Sequence, residues 1–192
     1  YNNGNPSIYY SKTETIFLNL LDNNLKIPQF IIYNLQNNGV IIQNILVHEL
    51  THYYDDMMLK GNGRKLKVSK NYYSTNEINA YTKQIIHLML QHLTPVMNSI
   101  LANSDKTLQE EFNHIMHELL NTVMSINRDT KIFIDNLNEK NRKHIYKEIG
   151  LYFKKYFTDN YFLLNTIAKD NYDLDKHNAY WKKATLNLPT SR

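Results

Sequence analysis

His48, Glu49 and His52 stand in the order His-Glu-x-x-His, within the stretch Val40–Leu59 of a 192-residue chain. On a helix, residues four apart lie one above the other, so His48 and His52 can present two imidazoles to one metal ion. Zinc accepts neutral imidazole nitrogens at about 2.0–2.1 Å, and in catalytic sites it keeps one position open for water. Glu49 falls at the edge of the same face, where a carboxylate can take a proton from such a water.

Chance is a weak rival. The chain holds 8 His, and its Glu content is the same, so a random match arises on the order of once in seventy such chains. The surroundings lower that further. Ile42, Leu46, Leu50, Tyr53 and Met57 recur at three- and four-residue steps and are expected to form a buried stripe. Ile41, Ile45, His48, His52 and Asp55 line a second stripe, which is expected to face a cleft. Asn38 and Gly39 offer a helix start just upstream.

At these residues the chain resembles the zincins, a group of zinc metallopeptidases. His48-Glu49-Leu50-Thr51-His52 is similar to the thermolysin-like spelling of the motif. No Gly and third His follow shortly after His52, which argues against the metzincin branch and leaves the gluzincins, where a Glu on a later helix is the third ligand. The resemblance spans residues 14–93, is specific at the motif and is weak elsewhere. It implies an α+β, predominantly helical fold: a small N-terminal sheet beside the active-site helix, and a helical C-terminal part. It also implies one zinc ion per chain and a protein or peptide substrate, cut by a metal-activated water with Glu49 as general base.

Glu77 is the candidate third ligand. It lies 25 positions after His52, and its Asn76-Glu77-x-x-Ala80 setting resembles the gluzincin third-ligand helix, where a small residue one turn on permits close helix approach. The competing reading is a capping box, because Ser74-x-x-Glu77 fits that pattern. Asp55 and Asp56 are the rival ligands. Asp55 falls near the histidine face, where a carboxylate more naturally orients an imidazole than binds the ion. A donor for the developing oxyanion is also required, and Tyr72, Tyr73, Tyr81, His114 and His117 remain open for that role.

The chain as a whole suits one domain of 192 residues, with residues 1–93 carrying the sheet, the motif helix and the third-ligand helix, and 94–192 forming a helical subdomain. A net charge of +4 permits weak attraction to acidic surfaces but does not indicate a nucleic-acid binder. With no cysteine, a disulfide framework and a thiol nucleophile are both excluded, and no G-x-S-x-G motif is present. No apolar run reaches membrane-span length and no signal-peptide pattern opens the chain. An opening at Tyr1 suits a processed product or a piece of a longer protein, so no compartment is assigned.

Residues 1–6 read as a loose lead-in, Ser7–Tyr10 and Thr13–Leu20 as short strands, and Pro28–Tyr33 as a third apolar run, strand or helix start. By the resemblance, Ile16–Leu20 could be the edge strand that holds a peptide, with an ordinary sheet edge as the alternative. Lys60–Thr75 is expected to be a loop or hairpin. A helix follows from Ser74 to Leu93, with Glu77, Ala80, Tyr81, Gln84 and Leu88 on one face, and it is expected to stop before Pro95. Thr94-Pro95 then reads as the cap and first position of a new helix. Thr107–Met124 and Glu139–Tyr156 are amphipathic helices, the second with Tyr152 and Tyr156 inward and a lysine-rich solvated face. Tyr161–Ile167 adds a short apolar segment, and 169–192 a mainly polar one.

The rival class of function is a structural or binding protein that keeps a peptidase fold, with a structural or vestigial metal site.

Overall fold

In the computed structural model, residues 7–10, 15–18, 40–64, 73–160 and 164 are described. The lead-in, Pro28–Tyr33, the Asn38-Gly39 helix start, Tyr72, most of the 60–75 loop and the 169–192 tail lie outside the described residues. So does Tyr161–Ile167, apart from Leu164, which is fully buried.

The expectation of an α+β fold with an N-terminal sheet is overturned. From Val40 onward the described chain is 86% helical with neither strand nor sheet, and the protein is all-α. Upstream, β1 (Ser7–Tyr10) and β2 (Thr15–Leu18) pair as one antiparallel hairpin, with Ser7 opposite Leu18 and Tyr10 opposite Thr15. Two strands of four residues do not make a sheet layer, and such a ribbon is marginal by itself. Beyond Gly39 the apolar residues recur every three or four positions, a period that suits helices and not strands.

The chain falls into two compact units, Tyr1–Gln84 and Ile85–Arg192. The first contains the hairpin and α1 (Val40–Gly61). Its C-terminus is closed by a Schellman motif: Arg64 N–H bonds to the Leu59 carbonyl at 2.8 Å and Gly63 N–H to that of Lys60 at 2.9 Å. Gly63 sits at φ 68°, the left-handed conformation this motif requires and a side chain resists. The unit also holds the first ten residues of α2 (Thr75–Leu101), because the division lies inside that helix.

Helix α2 does not stop before Pro95. It runs to Leu101 with the proline inside. A proline in a helix forfeits one backbone bond and crowds the preceding turn. Here Leu93 and Met97, on either side, are buried at 3% and 0%, and that burial offsets the loss.

In the second unit, α3 (Leu108–Ile126) opens with the reciprocal capping box of Thr107 and Glu110. Its stripe Phe112, Ile115, Leu119 and Val123 is buried as its period requires. A short α4 (Arg128–Asp135) follows, capped by the side chain of Asn127; at eight residues it is too short for a clear sequence period. In α5 (Glu139–Asp159), capped by Asn138, the residues Ile145, Ile149, Phe153 and Phe157 are buried, and the Phe157 ring packs on Phe112 at 4.9 Å. Tyr152, expected inward, is 38% exposed. Among the described residues no helix is long and apolar enough to cross a membrane.

Candidate metal centre

Two helices of the first unit supply the site. From α1, His48 and His52 bring their Nε2 atoms within 3.2 Å of each other, as the four-residue spacing requires. From the first turn of α2, the Glu77 carboxylate reaches both: Oε2 lies 3.3 Å from His48 Nε2 and Oε1 lies 3.5 Å from His52 Nε2. The side chains are sheltered, with 14%, 12% and 28% of their surface exposed for His48, His52 and Glu77. Among the described residues this is the one group of three or more such donors close enough to hold an ion.

The donor set fits a zinc ion. Bonds of about 2.0–2.1 Å in tetrahedral array put neighbouring donors about 3.3 Å apart, close to the spacings seen here. The capping alternative for Glu77 is met by a different atom: its backbone N–H approaches Ser74 Oγ at 3.5 Å, while its carboxylate turns to the histidines.

Burial by itself pushes the Glu77 carboxyl up, but hydrogen bonds from His48 and then His52, with their charge, outweigh it and bring it down to about 2. At His52 burial favours the neutral ring, yet the bond to Glu77 and the charges of Glu77, Glu49 and Asp55 together raise its proton affinity.

Glu49 is 5% exposed, and its charge acts on His52, so a buried carboxylate stands beside the group without belonging to it. Asp55 does not bind an imidazole. It accepts a 2.7 Å hydrogen bond from the Asn79 amide, which ties the histidine helix to the Glu77 helix. Asp56 is fully buried in an ion pair with Lys60 at 2.9 Å and is not one of the grouped donors.

No family model, curated protein or solved structure matches this chain. Its residues alone carry the argument.

Two residues that the motif does not reveal complete the surroundings. Tyr81 sets its ring edge-on to His48, with centroids 4.7 Å apart, and Gln84 Oε1 lies 3.3 Å from His48 Nδ1. Their positions one and two turns after Glu77 were the available signal. Of the expected apolar stripe on α1, Leu46 and Tyr53 are half-buried, while Leu50 and Met57 are exposed, as are the neighbouring Tyr54 and Met58. A cavity of about 500 Å³, lined by Val47, Leu50, Thr51, Tyr54, Asp55, Asn79 and Lys83, opens on that flank. Glu49 projects from the other side of the helix, since five residues separate the directions of Glu49 and Tyr54 by more than a quarter turn.

Of the open oxyanion candidates, Tyr81 is held against His48. His114 belongs to the second unit, 56% exposed and 2.9 Å from Glu111, and neither it nor His117 joins a metal-holding group among the described residues.

Proposed function

We propose that the protein is a zinc-dependent peptidase of zincin type, gluzincin-like in drawing its third ligand from Glu77. His48, His52 and Glu77 would hold one zinc ion per chain. The observation that carries the reading is the meeting of these three donors from two helices with the buried carboxylate of Glu49 beside them. When bound, zinc polarises a scissile carbonyl and lowers the pKa of its water to about 7.

The chain's own residues do the rest. Glu49 receives the proton of the attacking water and returns it to the leaving amine, so it must stay a carboxylate between turnovers. Sheltering from solvent strengthens its interaction with the charge that develops during attack. The Asp55–Asn79 bond fixes the two ligand helices in register, so Glu77 need not be drawn in when an ion binds. The substrate is a protein or peptide, and nucleic acid is not a partner.

The test is Glu49→Gln. The variant is expected to keep its zinc and lose hydrolysis of a broad peptide library, because an amide cannot act as a base. Equal cleavage by both proteins, or none by the wild type, would favour the second reading: a binding protein with a structural metal. That reading draws on exposed Leu50, Tyr54, Met57 and Met58, an apolar surface of the kind that marks interaction sites.

A further inference from the structure

We propose that Gln84 is a positioning residue for this metal centre: its side-chain oxygen keeps the proton of His48 on Nδ1, leaving the Nε2 lone pair aimed where His52 and Glu77 converge. The proposal rests on the metal-binding half of the function proposed above, not on the peptidase half.

A neutral imidazole carries one N–H and one lone pair, and the partner of one nitrogen decides which is which. His48 Nδ1 faces Gln84 Oε1 at 3.3 Å, and an amide oxygen can only accept. With an ion at Nε2 the proton belongs on Nδ1, where Gln84 accepts it; without one, the Glu77 carboxylate, an acceptor too, faces Nε2. That Nε2 is the atom 3.3 Å from Glu77 and 3.2 Å from His52. The opposite tautomer would point a hydrogen at the place an ion must occupy.

The support is built into one helix. Glu77, Tyr81 and Gln84 follow at four- and three-residue steps on one face of α2. That face supplies a ligand, an aromatic edge against the His48 ring and an acceptor for its far nitrogen. Gln84 is only 8% exposed, so its oxygen has little competition from water. A ring packed against an aromatic neighbour and held at its Nδ1 has lost the freedom that binding an ion would otherwise remove. An amide in this position adds no charge, whereas a carboxylate would be a third acid near Glu77 and Glu49.

Two measurements on the full chain test this. In the zinc-loaded protein, ring ¹H–¹⁵N NMR is expected to find the His48 Nδ1 proton hydrogen-bonded and slow to exchange. In zinc competition against a chromophoric chelator, Gln84→Leu is expected to weaken binding by about 10–100-fold, the usual cost of a lost supporting bond. Gln84→Glu restores an acceptor of the same length and is expected to recover most of that loss. A freely exchanging Nδ1 proton in the zinc-loaded wild type would overturn the proposal, as would a Gln84→Leu protein that binds zinc like the wild type. The wild-type spectrum needs no variant to fold. A wild-type chain that takes up no zinc would overturn the metal reading together with the proposal, whereas zinc uptake with a freely exchanging Nδ1 proton overturns the proposal alone.

Discussion

In the unit that ends at Gln84, α1 shelters Asn44, Glu49 and Asp56 and leaves Leu50, Tyr54, Met57 and Met58 in solvent. In the unit that begins at Ile85, Ile115, Leu119, Ile145, Phe153 and Phe157 are buried outright, while charged pairs such as Lys143–Glu139 stand outside. The second arrangement is what hydrophobic burial produces when nothing opposes it. The first runs against it. Burying carboxylates and imidazoles costs free energy unless they are bonded, and the bonds found here run among His48, His52, Glu77, Asn79 and Asp55. Residues arranged at the expense of stability mark a site.

The contrast predicts opposite responses to mutation. Phe153→Ala in α5 is expected to cost about 3–5 kcal/mol of unfolding free energy, the usual result of emptying a packed aromatic site. Leu50→Ala is expected to stay within about 0.5 kcal/mol, as surface changes do. Chemical denaturation of both variants checks the pair. A large loss at Leu50 would show that its flank of α1 is covered after all.

Glu77→Gln sharpens the same comparison from the site's side. It is expected to weaken zinc binding by more than the about 100-fold that a lost supporting bond can cost, while the metal-free protein melts nearly as before. Ser74→Ala should do the reverse: about 1 kcal/mol of stability lost with a cap, and zinc affinity kept. Chelator competition and thermal melts on both variants read this out. Wild-type zinc binding by Glu77→Gln would remove Glu77 as a ligand.

The smallest effect belongs to the second unit. The Ser104 hydroxyl, and then His114, hold the Glu111 carboxyl below its ordinary 4.5. A carboxyl lowered by folding stabilises the protein above its unfolded value, and that contribution fades as pH falls through the folded one. Glu111→Gln is therefore expected to lower stability by no more than about 1 kcal/mol near neutral pH. Denaturation curves of variant and wild type should converge as pH falls from 4.5 through the lowered value. A gap that persists in acid would mean the carboxylate charge is not what matters.

The sequence was most readable where one period decided the outcome. The stripe of Phe112, Ile115, Leu119 and Val123 is enough to place α3, expected over Thr107–Met124 and found over Leu108–Ile126. His48 and His52 were nameable from the four-residue spacing of the motif and Glu77 from the resemblance of its Asn76-Glu77-x-x-Ala80 setting, and the structure brings the three together as a group that could hold a metal ion. Proline misled, since Leu93 and Met97 are buried deeply enough to carry α2 through Pro95. The stripe at Leu50 and Met57 misled for a deeper reason: periodicity shows that a face is apolar, not that anything lies against it. Among the described residues, the strand-like Ser7–Tyr10 and Thr15–Leu18 pair only with each other, and so do not make the fold α+β. Asp55 could not be placed from sequence because Asn79, which claims it, is 24 residues away.

The most direct test is the metal content of the 192-residue chain, purified without chelator and given zinc, together with the X-ray absorption spectrum of the bound ion. The account predicts about one zinc per chain, held by two imidazole nitrogens and carboxylate oxygen at about 2.0–2.2 Å, and loss of that zinc in a His48→Ala, His52→Ala double variant. A wild-type chain that takes up no stoichiometric metal, or a double variant that holds zinc as tightly, would contradict it.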